Sequence, residues 1–331
     1  MKRQTVTITA ARQVELREET LSAPGAGQVL VESVGSAISG GTELLIYRGE
    51  FPKNLVEGYD AFSRDIHYPW SCGYACVGRV VQPGAGVDPG LAGRLVFSFQ
   101  PHATHFIAAP DSLFLLPEGH TADSACFLPN METAVNLVQD AAPILGERVL
   151  VLGQGIIGLL AASLLREFPL ETLVSADHYQ LRRDASPAAV VLDSSQPDFL
   201  DHARSVLPHG ADLTLELSGS PTALDAAISL TSFSGRIVIG SWYGEKRAPI
   251  DLGSAFHRSR IKLISSQVST IAPELSARWD KTRRFAVAWA ALRRLNPGKW
   301  ITHRFSLAQA AEAYRLLDES PGEAIQVVFR Y

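Results

Sequence analysis

The stretch Arg148-Val-Leu-Val-Leu-Gly-Gln-Gly-Ile-Ile-Gly-Leu-Leu-Ala-Ala-Ser-Leu-Leu165 constrains this chain more than any other. It reads as a buried strand, a glycine-rich turn and an apolar helix, in that order. Gly153 permits the tight turn, Gly155 lets the backbone approach a pyrophosphate, and Gly158 lets helix and strand pack closely. The helix that opens at Gly155, Ile156 and Ile157 points its free N–H groups and the positive end of its dipole at the phosphates. A G-x-G-x-x-G spacing alone is weak, so context has to carry the rest. A second apolar run, Thr172-Leu-Val-Ser-Ala176, ends in Asp177, about 20 residues past Gly158, where a carboxylate accepts the adenosine ribose hydroxyls and repels a 2′-phosphate. NAD is the expected cofactor. His178 and Arg183, beside Asp177, leave NADP as the alternative.

A chain of 331 residues is too long for one simple core and suits two domains. Residues 1–118 hold short apolar runs, Val29–Val34, Cys76–Val81 and Arg94–Phe99, broken by turn segments such as Gln82-Pro-Gly-Ala-Gly and Asp88-Pro-Gly. Such punctuation predicts a barrel-like β domain. From residue 145 the rhythm becomes strand then helix, as parallel α/β architecture requires. Val174–Asp177, Ala189–Asp193, Asp212–Leu217, Arg236–Gly240 and Ile261–Ser265 join the first strand to make six. Each ends in a small or polar residue, where an open parallel sheet meets its ligand. The tail Phe305–Leu317 has the spacing of an amphipathic helix, with Ser306 as N-cap and Leu307, Ala310, Ala311, Tyr314 and Leu317 as its apolar stripe. A last strand, Ala324–Phe329, follows.

Composition excludes several classes. A formal net charge of -4 with no lysine or arginine cluster excludes a nucleic-acid footprint. No uninterrupted apolar run reaches the length of a membrane span, and the first residues alternate like a strand rather than a signal peptide. Three cysteines, Cys72, Cys76 and Cys126, cannot all pair, so a reducing, cytoplasmic setting is expected.

A β-rich first part, a dinucleotide domain from mid-chain and a closing helix and strand resemble the medium-chain dehydrogenase/reductase family over essentially the whole chain. The matching strings include Glu32 in Val-Glu-Ser-Val-Gly-Ser, Gly73-Tyr-Ala-Cys-Val-Gly78-Arg-Val, Glu216-Leu-Ser-Gly-Ser-Pro and Gly235-Arg-Ile-Val-Ile-Gly. The resemblance implies an α/β chain: a GroES-like β-barrel catalytic domain plus a Rossmann doubly wound parallel sheet. Expected boundaries are 1–130 for the first catalytic part, 131–266 for the NAD-binding domain and 267–331 for the return, with nicotinamide and substrate between the domains. It also implies that Thr133 touches the nicotinamide, that Ser218, Gly219, Gly240, Ser241 and Gln267 close over ribose and carboxamide, and that Arg182 lies near the adenosine. A homodimer joined through the cofactor domains is expected. Ser39-Gly-Gly-Thr-Glu43, Phe97-Ser-Phe-Gln-Pro-His102, Gly240-Ser-Trp-Tyr-Gly244 and Ser265-Ser-Gln-Val268 narrow the likeness to the zinc-free branch around bacteriochlorophyllide hydroxyethyl dehydrogenase.

Zinc-dependent members need cysteine, histidine and a carboxylate or second cysteine as ligands. Ser39 stands in the first position, Tyr74 and Ala75 replace the next pair, and Phe127-Leu128-Pro129 offers nothing at the third. No metal is expected. Hydride transfer then needs a side chain to take or give the alcohol proton. Tyr74 is one candidate, its phenol acidified by a neighbouring cation such as the nicotinamide ring; the alternative is a ring that merely packs where the metal was. His102 is the second, with a reference pKa near neutrality, while His105 is turned to the other face by strand alternation. Thr42 or Gly41 takes the proton-relay position in a loop after Ser39. Glu43 ties that loop to nearby backbone, and Tyr47 and Arg48 either line the pocket or cover the barrel. The reading is a zinc-independent NAD(H) oxidoreductase that interconverts a secondary alcohol and a ketone on a small-molecule substrate. Its rivals are an NADPH-dependent quinone or enone reductase and a non-catalytic nucleotide-binding protein.

Overall fold

Short extended segments with runs of buried side chains build the first of two units in the computed structural model, which describes residues 1–52 and 66–331. Of these, 1–52, 66–129 and 292–331 form the first unit and 130–291 the second. Gln267 lies inside the second unit, which the chain leaves after Ala291.

The hub of the first unit is the strand Val29–Ala37. It pairs antiparallel with Cys76–Pro83, His105–Ala108 and Gln326–Arg330. Val29, Val31, Cys76, Val80, Val96 and Phe106 close a core on one face of this sheet. The register sets Ser36 opposite Cys76, and Cys76 opposite Ser98. Ser39, Tyr74 and Gln100 therefore leave three neighbouring strands at one end of the sheet. A separate sheet joins Gln13–Thr20, Lys2–Ala10 and Trp70–Ser71.

Two local readings are corrected. The segment after Ser39 is a short helix, Thr42–Arg48, rather than a loop, with Glu43, Leu44, Leu45, Ile46 and Tyr47 buried. Good helix formers lie between Gly41 and a left-handed Gly49, so the glycines cap a helix where they read as an open turn. At the tail, Ser306 and Gln309 form a reciprocal capping box before the helix Ala310–Glu319. Ala310, Ala313, Tyr314 and Leu317 are its buried face, and Ala311 points outward. A period of 3.6 carries the stripe through Ala313 instead.

The second unit is a six-stranded parallel sheet. In spatial order its strands are Val190–Asp193, Thr172–Asp177, Arg148–Leu152, Ala211–Glu216, Thr231–Ile239 and Lys262–Ser265. Numbered along the chain, this is the order 3-2-1-4-5-6 of a doubly wound dinucleotide fold. Leu150, Val174, Ala203, Ala227, Ile228 and Ile237 belong to its core. Leu152 pairs with Ala176 and Glu216, Glu216 with Ile239, and Ile239 with Ser265. That register aligns Gly153, Asp177, Ser218 and Gly240 along one carboxyl edge. Among the described residues no helix is long and apolar enough to cross a membrane.

Candidate functional site

At the carboxyl edge of the second unit, Gly153 has φ +95°, and a Cβ there would lie 2.6 Å from the Leu217 carbonyl. Only glycine takes both that dihedral and that approach. A Cβ on Gly158 would lie 1.9 Å from the Gly153 carbonyl oxygen, so the helix packs on the turn without room for a methyl. Gly155 is different: the nearest atom to its missing Cβ is Arg182 Nη1 at 3.9 Å. The helix Ile156–Leu165 opens at Gly155 without a side-chain cap, leaving backbone N–H groups directed into that open space.

Asp177 sits beside this opening, 5% exposed. Its Oδ2 accepts from the Gln154 N–H at 2.6 Å and its Oδ1 from the Tyr179 N–H at 2.8 Å. One carboxylate thus ties the glycine turn to the next loop, and each oxygen keeps a lone pair. Arg183 pairs with Asp193 at 3.0 Å and donates to the Asp177 and His178 carbonyls. Arg182 stacks its guanidinium on Tyr179, 4.9 Å from the ring centroid.

Further along the edge, Ser218 and Tyr243 donate to the buried Glu216 carboxylate, Tyr243 at 2.5 Å, and the Gly219 N–H donates to Ser241 Oγ at 2.9 Å. Gly240 follows the Thr231–Ile239 strand and donates its N–H to the Glu216 carbonyl at 3.0 Å. Gln267 is exposed and folds back on Ser269, and Thr133 is half-buried on the helix Leu128–Ala141. An uncapped helix, an unobstructed glycine and an adjacent carboxylate fit a dinucleotide.

The first unit gathers hydroxyls. Tyr74 Oη donates to Ser39 Oγ at 2.6 Å, and Thr42 is also within hydrogen-bonding reach of the phenol. Burial raises the Tyr74 pKa above its ordinary value and the Glu43 charge adds to this, outweighing the hydrogen bonds to Ser39 and Thr42. The nearest charge among this chain's own groups is the Glu43 anion, so the protein by itself does not acidify the phenol; the cation expected from the sequence is the cofactor's nicotinamide ring.

Below this pair lies Glu43. Its Oε1 accepts from the Ser39 N–H at 2.8 Å, and its Oε2 accepts from Tyr314 and, at 3.1 Å, from His102 Nε2. His102 Nδ1 meets Ser36 Oγ at 2.7 Å. The imidazole is 0% exposed and both nitrogens are engaged, so His102 is braced behind Glu43 rather than free to shuttle protons through solvent. His105 stands apart, 3.9 Å from Glu32. Tyr47 packs on Tyr314 at 5.5 Å and Arg48 pairs with Asp318 at 2.5 Å, so both serve the barrel. Glu43 ties the Ser39 backbone as its place in the sequence suggested, while Ser36 and Tyr314 are the members that sequence reasoning left out of the site. A tyrosine inside the tail's apolar stripe was the available signal.

Zinc does not fit this donor set. A serine hydroxyl and a phenol bonded to each other, beside Ala75, provide neither thiolate, imidazole nor carboxylate. Among the described residues no group of three or more His, Cys, Asp or Glu is placed to hold a metal ion.

The fold is that of alcohol dehydrogenases of the medium-chain class. An alcohol dehydrogenase of Escherichia coli CFT073 in complex with NADH superposes with a TM-score of 0.78 at 20% identity, covering 100% of this chain and 99% of the other. A zinc-binding dehydrogenase of Sinorhizobium meliloti 1021 bound to NADP gives 0.77 at 18%, with 100% of both chains covered. No protein-family model matches. In sequence, the chain is 25% identical to the zinc-type alcohol dehydrogenase-like protein YphC of Escherichia coli K12, over 96% of each. It is 24% identical to the 2-desacetyl-2-hydroxyethyl bacteriochlorophyllide A dehydrogenase of Cereibacter sphaeroides, over 97% of this chain and 96% of that one. These likenesses support the zinc-type alcohol dehydrogenase-like superfamily, and the two identities do not single out a branch within it.

Proposed function

We propose that this chain is an NAD(H)-linked oxidoreductase interconverting a secondary alcohol and a ketone, with Tyr74 and Ser39 handling the substrate oxygen in place of a metal. The observation that carries the reading is the cradle: an uncapped helix start at Gly155, open to a pyrophosphate, beside the Asp177 carboxylate. Bound NAD(H) supplies the acceptor or donor of the hydride. The backbone N–H groups at Gly155, Ile156 and Ile157 hold the phosphates and Asp177 the ribose diol, with Arg182 over the adenosine side. Thr133, Ser218, Gly219, Gly240, Ser241 and Gln267 hold the nicotinamide half. The Asp177 charge supports NAD over NADP, and Arg183, committed to Asp193, supports it further.

In ketone reduction the protonated Tyr74 donates to the carbonyl oxygen as charge develops there, and a proton from water then returns to the phenol through Ser39 Oγ, which takes one proton as it passes one on. Thr42 supplies a third hydroxyl beside the pair. Glu43 fixes the Ser39 backbone, and His102 and Tyr314 fix Glu43. A phenol that keeps its proton serves as an acid near neutral pH and as a base only in the alkaline range. Reduction is therefore the easier direction for this side chain.

The buried, unpaired thiols of Cys72, Cys76 and Cys126 support a cytoplasmic setting. The exposed edge strand Lys262–Ser265 supports a homodimer formed edge to edge.

The test is a titration with NADH and NADPH, followed by a panel of large-ring alcohols, small polyols and their ketones. NADH preference with turnover lost in Tyr74→Phe is expected. A preference for NADPH turns the reading toward a quinone or enone reductase, and NADH binding without turnover toward a non-catalytic protein. Stoichiometric zinc whose removal abolishes activity ends the metal-free account.

A further inference from the structure

Among the described residues, the largest side chain fully withdrawn from solvent is a charged one, Arg284, on the helix Lys281–Leu295. A buried guanidinium is costly unless nearly every donor is met, and here each nitrogen is. Nε and Nη2 donate to Glu132 Oε1 at 3.1 and 2.9 Å. Nη1 donates to Asn136 Oδ1 at 2.5 Å and to the Thr270 carbonyl at 3.0 Å, and Nη2 also donates to the Val268 carbonyl. Lys281 adds bonds to Glu132 at 2.7 Å and to the Val268 carbonyl at 2.8 Å.

Both carbonyls belong to the irregular segment that follows the sheet's last strand and carries Gln267. Glu132 and Asn136 belong to the helix that carries Thr133. A third attachment lies at Ser266, whose Oγ donates to Asp140 at 2.6 Å and accepts from Asn136 at 2.9 Å. Arg284 thus joins, through one rigid fork, the two stretches of chain that bear Thr133 and Gln267. A lysine, as a point donor, cannot span both carbonyls and the carboxylate in the same way.

We infer that Arg284 is a positioning residue for the nicotinamide: it sets the Gln267 segment against the Thr133 helix while touching neither cofactor nor substrate. This rests on the assignment of Thr133 and Gln267 to the nicotinamide half of the site. The experiment compares NADH with ADP-ribose, which keeps the adenosine and pyrophosphate but lacks the nicotinamide. Kd values for both are measured by fluorescence or calorimetry for the parent, Arg284→Lys, and the double variant Glu132→Met with Arg284→Met. The double variant removes both charges together, so no lone ion is left inside and the unit keeps its fold, which a thermal melt checks. Loss of NADH affinity by about tenfold, the worth of one or two hydrogen bonds, is expected in both variants with ADP-ribose unchanged. A purely structural role moves both ligands together, and that result overturns the inference. So does NADH binding at the parent's strength in both variants. A parent that binds neither ligand overturns the cofactor assignment itself, and the inference with it.

Discussion

Replacing Gly158 with alanine tests the cradle through distances the structure supplies. The new Cβ would fall 1.9 Å from the Gly153 carbonyl oxygen and 2.9 Å from its carbon. Reaching an ordinary contact requires a retreat of about 1.5 Å. Gly153 cannot give way, because its own missing Cβ already faces the Leu217 carbonyl at 2.6 Å. The displacement therefore falls on the first turn of the helix, whose N–H groups are the proposed phosphate donors. Overpacking costs about 1–3 kcal/mol, and the better helix propensity of alanine returns about 1 kcal/mol, so the melting temperature changes little. Affinity changes more. Losing one charge-assisted hydrogen bond costs about 1.5–3 kcal/mol, which is about 10- to 100-fold in the Kd for NADH. Fluorescence titration and a thermal melt on the same preparation read both numbers. Gly155→Ala is the paired control, because its methyl meets only Arg182 Nη1 at 3.9 Å; it should leave the fold untouched and still obstruct the pyrophosphate. NADH held by Gly158→Ala within twofold of the parent would refute the argument.

Tyr74→Phe should lower turnover by about 100-fold or more with the NADH Kd unchanged, and Ser39→Ala should fall between the variant and the parent; equal rates for all three remove the hydroxyl pair from the mechanism. Asp177→Ala should weaken NADH and narrow its advantage over NADPH, and by freeing the Gln154 N–H it should also cost about 1–3 kcal/mol of stability, seen in denaturant. Stability should fall as pH rises above about 9, since burial pushes the Cys76 thiol up to about 12 and raises the Cys72 and Tyr314 groups as well. The sign follows because the unfolded chain releases these protons first, so alkali favours unfolding; a melting temperature constant from pH 8 to 11 contradicts it. Thiol reagents should leave all three buried cysteines unmodified until the protein unfolds, as mass spectrometry can show.

Much of the second unit was readable because its signals are local. Six apolar runs ending in small or polar residues became six parallel strands, and Gly153 and Gly158 hold the conformation and the close approach their spacing implied. The first unit was less readable. Gly40 and Gly41 hid the start of a helix, and Ala313 rather than Ala311 turned inward. Tyr74 and His102 were singled out by type and position, but their surroundings were not. The phenol's raised pKa comes from burial and from Glu43, and the imidazole's withdrawal from Glu43 and Ser36.

The succession of strands along the chain, the glycine turn and the acidic residue after it follow from the sequence alone, because each depends on neighbours a few residues away. Which groups meet around Glu43 does not. His102 lies 59 positions from it and Tyr314 lies 271, and only the sheet register and the tail helix bring them together. Arg284 is the same case in the second unit, 152 positions from Glu132. One-dimensional spacing reports dihedral preference and burial. It carries no information about which distant side chains share a buried charge, and that sharing is settled when the core closes.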